Sequence, residues 1–510
     1  MNTHRRLSAT LALAGVISAA LSYAPIARAA DAPATDARAA AGKAIYLDKC
    51  SQCHGTGGEG KGDGAEFFRP LPRDFTSGSF KIRTTESGES PTDADLKSII
   101  RSGMPYTGMP AWPEFSEEEL GDLVAFIKGF NSDFADTANH PKPIAAVKPP
   151  AFSKESAERG SKLFVENKCM DCHGKLGRGD GESAPTLNDD WGHAIRPADL
   201  TRRWTFRGGP RREDIFRTIM TGLNGTPMPS YTASIEEKDR WALVDYIHSL
   251  SPGDEPGYAS LVTAEAVPGE LGSKPGRDAF TRAKPALFPV VGQVIEARRD
   301  FFPAANAVEV RAVYDSDYVS VLVSWHDMSA QRKGANSPID AAGSDSGAVF
   351  SDAIAIQIPG KAIEGAGKPY FLSGDKRNPA ELWFRDLGTD TGEVYAAKGA
   401  GNLARIPGTI SVDAGYADGE WWAVFTRKRS EPGRYAFEPG GFAPIAFSVW
   451  DGLSRETGSS RGVTSWFTLY LKPARAENPL APASKRAALA IVLEAGLIWF
   501  LRRRAAASKR

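Results

Sequence analysis

The 510-residue chain has only four cysteines, and they fall into two groups of one form: Cys50-Ser-Gln-Cys53-His54 and Cys169-Met-Asp-Cys172-His173. None is left over for a disulfide framework, so the spacing alone must say what the thiols do. C-x-x-C-H is the attachment pattern of c-type haem, in which two thiols add to the porphyrin vinyl groups and the next residue, an imidazole, ligates the iron. A zinc or dithiol C-x-x-C is the competing reading, and a histidine directly after each pair in an exported chain fits haem better. The motifs predict two covalently bound haem c groups, attached through Cys50, Cys53, Cys169 and Cys172, with His54 and His173 on the iron.

The second axial ligand follows from comparing the copies, which are offset by 119 residues. Met109 lies 55 residues after His54, and Met228 lies 55 after His173. Met104 and Met220, at 50 and 47, share no spacing. Both favoured methionines sit in proline-bearing loops, Gly108-Met109-Pro110 and Pro227-Met228-Pro229, which proline keeps out of helix. Met220 falls in the periodic run Ile215, Phe216, Ile219 and reads as helix core. Gly103-Met104-Pro105 has the same local chemistry as the favoured loop, so Met104 stays a competitor of Met109. A short helical pattern precedes each haem motif (Gly42 to Tyr46, Gly160 to Phe164), and a longer one follows each methionine (Glu117 to Phe130, Ile235 to Leu250).

This order of helix, haem site, methionine loop and helix resembles the class I cytochrome c family over about residues 40–130 and 155–250. The resemblance implies small all-α domains, at 38–131 and 153–251, whose six-coordinate His/Met iron carries one electron and leaves no position for a substrate. Residues 132–152, with Pro141, Pro143, Pro149 and Pro150, read as a stiff linker. Each unit also has an aspartate followed by an arginine, Asp74 with Arg83 and Asp199 with Arg207. Guanidinium groups pair bidentately with carboxylates, so Arg83 and Arg207 are candidates to hold haem propionates, against an ordinary solvated role. His140, His193 and His248 have no repeated counterpart and read as surface or core residues.

After Leu250 comes a loop-rich stretch, and from about Val308 the helical period gives way to alternation. Val308, Val310 and Ala312 alternate before Asp315-Ser-Asp317, and Val319, Val321 and Val323 after it, a hairpin signature. Further runs at Ala353 to Ile358, Glu381 to Phe384, Trp421 to Thr426, Ile445 to Trp450 and Thr464 to Leu471 argue a β-sandwich. The stretches Asp352-Ala-Ile-Ala-Ile-Gln-Ile-Pro359, Pro369-Tyr-Phe-Leu-Ser-Gly-Asp375, Glu381-Leu-Trp383 and Phe447-Ser-Val-Trp-Asp-Gly452 are similar to the ethylbenzene dehydrogenase γ-subunit family. That resemblance covers roughly 255–475. It implies one non-covalent haem b held by a methionine and a lysine, and an iron-sulfur subunit of a periplasmic molybdoenzyme as partner. The sequence departs where those ligands are expected, with Ser373 before Gly374-Asp375 and with Ser460 and Arg461 past Gly452. A guanidinium is a poor iron ligand. His326 and Met328, just past the hairpin strand, are substitute ligands at most and read better as a capped strand end, so the domain is expected to dock a redox partner without haem b.

Residues 1–29 run from Arg5 and Arg6 through an apolar stretch to Ala27-Arg28-Ala29, the form of a secretory signal peptide rather than an uncleaved anchor. Ala487 to Leu501 is apolar except for Glu494 and is followed by Arg502, Arg503 and Arg504. With snorkelling flanks, residues 485–503 read as a C-terminal transmembrane helix that leaves a short basic tail in the cytoplasm, against an amphipathic tail. The formal net charge is zero, with 62 basic and 62 acidic residues, which gives no basic excess for nucleic acid. Of these, 52 basic and 61 acidic residues lie in 31–480, so the exported body is acidic and should meet a basic partner face.

The expected whole is a multidomain chain with two all-α cytochrome c domains, an all-β sandwich and a C-terminal helix. It should be periplasmic, anchored to the inner membrane, and should relay electrons between a redox partner and the respiratory chain rather than act as a stand-alone enzyme. Two alternatives compete: a haem enzyme of the peroxidase or thiosulfate dehydrogenase type, and a ligand-binding sandwich with Trp383, Trp421 and Trp422 stacking on sugar. Core packing is the blander account of those tryptophans.

Overall fold

The computed structural model describes residues 34–474, except 136–140, 146, 252, 297, 300–301, 340–347, 364–367 and 400, and also 491, 493–496 and 498–499. The signal peptide expected at 1–29 lies outside the described residues, as does most of the anchor expected at 485–503. Among the described residues, no helix is long and apolar enough to cross a membrane.

Among the described residues up to 250, eight α-helices form two sets of four. The first is α1 (Ala34–Lys49), α2 (Ser51–His54), α3 (Asp93–Ser102) and α4 (Glu117–Lys128). The second is α5 (Lys154–Glu166), α6 (Met170–His173), α7 (Arg212–Thr221) and α8 (Glu237–Ser249). In each set the first and last helices cross at a glycine. A Cβ on Gly42 would lie 2.0 Å from the Asp122 carbonyl oxygen, and one on Gly160 would lie 1.9 Å from that of Ala242. Only glycine lets the backbones approach so closely. The apolar stripe of α4, Leu120, Leu123 and Val124, is fully buried against this crossing, and each such side chain contributes about 1.5–3 kcal/mol. Capping boxes start α3 at Thr92 and α4 at Ser116, so their first backbone N–H groups are satisfied.

The expected linker is more than a spacer. Its Ile144 donates a backbone hydrogen bond to the Thr84 carbonyl of the first unit at 2.7 Å and packs its side chain on the core of the second. The Pro150 carbonyl accepts from Arg212 at 2.7 Å. Proline-rich chain thus straps the two helical units together.

From residue 261 the structure is β. One sheet runs, in spatial order, Ser411–Ala417, Glu420–Lys428, Tyr318–His326, Ala307–Tyr314, Leu261–Ala266, Phe467–Leu471 and the first half of Phe442–Trp450. The second half of that last strand crosses into the other sheet and pairs with Ala353–Pro359, followed by Ala380–Asp386, Gly392–Ala397 and Leu403–Arg405. The facing sides share one core that includes Val310, Val321, Ile356, Trp383, Trp421 and Phe447. The expected sandwich and its Asp315–Asp317 hairpin are both present.

Leu261–Ala266, inside the stretch read as loops, is a strand parallel to both of its neighbours. At six residues, with Val262 and Ala264 as its only fully buried positions, it carries too little alternation to stand out. Ala353–Pro359 and Ala380–Asp386 are buried on both faces, because Ala353, Ala355, Phe384 and Trp450 form a second core on the outer side. This is why Ala353–Pro359 reads as a nearly continuous apolar run, whereas Ala380–Asp386 buries Glu381, Arg385 and Asp386 among its apolar residues.

Candidate functional site

The two C-x-x-C-H motifs are single helical turns, α2 and α6, in which the cysteine thiols are partly exposed and unbridged. Burial pushes the Cys50 and Cys169 thiols up to about 11. The only His/Cys/Asp/Glu group among the described residues with ligand atoms gathered within 4.8 Å is elsewhere, at Asp327, Asp352 and Asp451. The donor set thus fits covalent haem c better than a bound zinc ion.

Each histidine is oriented by a backbone carbonyl. Nδ1 of His54 lies 2.9 Å from the Arg73 oxygen, and Nδ1 of His173 lies 3.0 Å from that of Ala198. A protonated Nδ1 donating to these carbonyls leaves Nε2 with its lone pair for a metal. His54 also stacks on Phe75, with ring centroids 4.5 Å apart.

The methionine loops match atom for atom. In the first, the Thr107 hydroxyl donates to the Met104 carbonyl (2.8 Å) and accepts from the Met109 N–H (3.1 Å), and the Met104 N–H donates back to the Met109 carbonyl (3.1 Å). In the second, Thr226 does the same with Leu223 and Met228, at 2.8 and 3.2 Å, and Leu223 donates to the Met228 carbonyl at 3.0 Å. Met104 therefore corresponds to Leu223, and the methionine common to both loops is Met109 in one and Met228 in the other. Met220 is buried in the core of the second unit, as its periodicity suggested.

The arginine expectation needs correction at Arg83. Asp74 and Asp199 each cap their own turn, accepting from the backbone and hydroxyl of Thr76 or Thr201. Arg83 is 1% exposed and is spent on backbone, donating to the Thr221 carbonyl of the second unit at 2.7 Å and to the Glu86 carbonyl at 3.1 Å. It clamps the two units together and has no spare face for a propionate. Arg207 stays exposed.

In the β-sandwich, Ser373 is buried, and its N–H donates to the Gln357 side chain at 3.0 Å. Arg461 is buried with its guanidinium over the Trp450 ring and an ion pair to Glu296 at 3.3 Å. Neither position presents a methionine-like or lysine-like ligand. His326 caps its strand through the Gly419 carbonyl at 2.8 Å, and Met328 is buried. Trp383 and Trp421 lie in the core, while Trp422 is partly buried with Arg277 over its ring.

Sequence reasoning missed the contacts that seat the second unit on the sandwich. Arg178 donates to the Asp418 carbonyl (3.0 Å) and to Glu420 (2.8 Å), Arg202 to Asn306 (3.0 Å), and Arg196 to Asp451 (2.8 Å) and Ser454 (2.6 Å). Asp451 belongs to the buried trio with Asp327 and Asp352. Burial, and then the Asp451 charge, push Asp352 up to about 7, while the Trp421 indole and the backbone of Gln331 and Gly452 hold it in place. Asp352 and Asp451 stand in stretches that carried the γ-subunit resemblance, but nothing in the sequence marks them as meeting in space.

With this geometry in hand, comparison with known proteins is direct. Residues 37–127 match the family model "Cytochrome C oxidase, cbb3-type, subunit III", and residues 157–251 match "Cytochrome c". The chain therefore carries two cytochrome c domains, followed by a large β-sheet domain. Among curated relatives, the cbb3-type cytochrome c oxidase subunit FixP of Bradyrhizobium sp. is 29% identical over 221 residues, covering 42% of this chain and 61% of that protein. A Haloferax mediterranei protein assigned as a respiratory nitrate reductase haem subunit is 25% identical over 171 residues, covering 33% and 57%. The chain thus spans about three-fifths of the length of these relatives. A chain of the reducing HAO-like protein complex of Kuenenia stuttgartiensis is 38% identical, covering 41% of this chain and 96% of that one, with a TM-score of 0.40.

Proposed function

We propose that the protein is an exported dihaem cytochrome c that relays single electrons between a periplasmic redox partner and a respiratory chain. The observation that carries this is the doubling: two C-x-x-C-H turns, each histidine turned by a backbone carbonyl, and two identical methionine loops at one offset. When bound, the two haem c groups supply one-electron iron chemistry. Cys50 with Cys53 and Cys169 with Cys172 would hold them covalently, and Nε2 of His54 and of His173 would ligate on one side. Met109 and Met228 would close the other side, which leaves no coordination position for a substrate and favours relay over catalysis.

The relatives' names support a place in a respiratory complex, such as a cbb3-type oxidase or a nitrate reductase, and the γ-subunit resemblance supports a molybdoenzyme or iron-sulfur partner. The β-sandwich serves as the docking module. Residues 485–503 tether the chain to the inner membrane with a short cytoplasmic tail, and a chain cut after Ser484 that remained as membrane-bound as the full one would contradict the tether. Thioether ligation raises a haem potential, so Met109→Ala and Met228→Ala should each lower one of the two midpoint potentials in a redox titration, while Met104→Leu should lower neither. A titration left unchanged by the first two variants refutes the ligand assignment.

A further inference from the structure

We propose that the first cytochrome c domain positions the distal ligand of the second: Arg83, and the Trp191 ring beneath Arg73, hold the loop that carries Met228, so the second iron keeps its thioether only while the two domains are docked. The inference rests on the haem c reading above and makes Arg83 and Trp191 positioning residues for Met228.

Contacts between the domains converge on residues 221–225, the arm of the loop that leads to Met228. The buried Arg83 guanidinium donates to the Thr221 carbonyl at 2.7 Å and to the Gly222 carbonyl at 3.5 Å. The Gly88 N–H, also from the first domain, donates to the Asn224 side chain at 3.2 Å. Gly225 lies so close against the Trp191 ring that a Cβ there would come within 2.5 Å of it, and the Gly225 carbonyl accepts from the Asp190 N–H at 3.2 Å. Over that same ring, 4.6 Å from its centroid, lies the guanidinium of Arg73, whose carbonyl orients His54 in the first domain. The arm is in turn tied to the ligand: Leu223 donates to the Met228 carbonyl at 3.0 Å, and a Cβ on Gly222 would also lie 3.0 Å from that oxygen. Whatever shifts 221–225 therefore shifts Met228.

The first loop is braced differently. The position of Gly225, 119 residues earlier, is Tyr106, which is 48% exposed at a φ of 56°. Its hydroxyl bonds to Glu255, beyond both cytochrome c domains. The ring that closes over this loop comes from the same domain, since a Cβ on Gly108 would lie 2.0 Å from Phe68. The first domain thus supplies the brace for both methionine loops, its own through Phe68 and its neighbour's through Arg83, Gly88 and Arg73. The brace matters because a thioether is a soft, neutral donor that gains nothing from the charge of ferric iron, so the loop must hold it in place. Removing Arg83 leaves two carbonyls of the arm without their charged donor, which favours an arm that has moved.

The test reads the thioether-to-iron charge-transfer band of the ferric, full-length holoprotein, each variant first checked by intact mass for two covalent haems. In a Met109→Ala chain the band reports Met228 alone, and in a Met228→Ala chain it reports Met109 alone. A chain with both changes that keeps the band, or an unaltered chain that lacks it, fails the ligand reading itself before the positioning is tested. In the Met109→Ala chain, Arg83→Leu and Trp191→Ala should each remove most of the band and lower the midpoint potential of the second haem, and Trp191→Phe, which keeps a ring over Gly225, should restore both. In the Met228→Ala chain the same two changes should leave the band at full strength. A Met228 band that survives both changes, or a Met109 band that falls equally with it, overturns the proposal. Should Arg83→Leu fail to load two haems, Trp191→Ala is read alone, together with amide hydrogen exchange over residues 221–228: faster exchange there is expected, and unchanged protection overturns it.

Discussion

The two cytochrome c domains share one plan but have different neighbours. Their haem turns and methionine loops correspond at a constant offset of 119 residues, down to the threonine that closes each loop. The segments between them do not: the carbonyl that turns His54 is 19 residues on, whereas the one that turns His173 is 25 residues on. Those variable segments make the contacts between domains, through Arg73 and Arg83 in the first and Arg178, Arg196 and Arg202 in the second. What repeats holds the cofactor, and what differs builds the assembly. The second domain is consequently gripped on two sides, by the first domain and by the sandwich.

That asymmetry predicts unequal damage from equal mutations. Cys50→Ala with Cys53→Ala should remove one haem and leave the rest of the chain folded. Cys169→Ala with Cys172→Ala should remove the other haem and also lower the melting temperature of the sandwich. Intact mass and calorimetry distinguish the two cases, and equal melting profiles would break the comparison. Next in size, Gly42→Ala and Gly160→Ala each force a Cβ into a backbone carbonyl and should cost about 1–3 kcal/mol in guanidinium unfolding, at the upper end of that range. A loss of a few tenths of a kcal/mol would show that the helix crossings yield more than the geometry suggests.

Arg196→Ala leaves the buried Asp451 carboxylate with Ser454 alone. It should weaken the grip of the second domain on the sandwich by about 1–3 kcal/mol, seen as faster proteolysis between them. By contrast, Lys128→Ala, which breaks an exposed pair with Asp93 in the first domain, should cost about 0.2–1 kcal/mol. Equal effects would mean that the interface is not the more tightly coupled region.

The gentlest probe is pH. Asp352 is raised to about 7 by burial and then Asp451, and Asp327 is raised well above its ordinary value by burial, Asp451 and Asp352, with Arg196 facing them. Carboxyls raised in the folded state contribute stability that is full below the unfolded value, near about 4, and is lost as pH rises through the folded one. The sandwich should therefore lose stability as pH climbs from about 4 to about 7, at no more than about 1.4 kcal/mol per pH unit for each proton, with no further loss from Asp352 above that range. Asp352→Asn should flatten that slope, and a slope of the opposite sign would contradict it.

Much of this was legible in the sequence, for physical reasons. C-x-x-C-H fixes three ligating or linking groups on one helical turn, so their chemistry is local. The correspondence of Met109 with Met228 was legible because the repeat supplied an internal control, and the loop hydrogen bonds set Met104 opposite Leu223 instead. The sandwich announced itself through alternation, except at Leu261–Ala266. Arg83 was misread because a matched spacing cannot reveal which residue an interface will consume. Arg196 and Asp451 were invisible because they meet each other across a domain boundary, 255 residues apart in the chain.

The central claim is that the two motifs carry haem c and that the sandwich carries no haem of its own. A pyridine haemochrome spectrum of the purified full-length protein, set against its protein concentration, tests this most directly. The account predicts two haem c per chain and no haem b; a single haem c, or a haem b band beside the two, would contradict it.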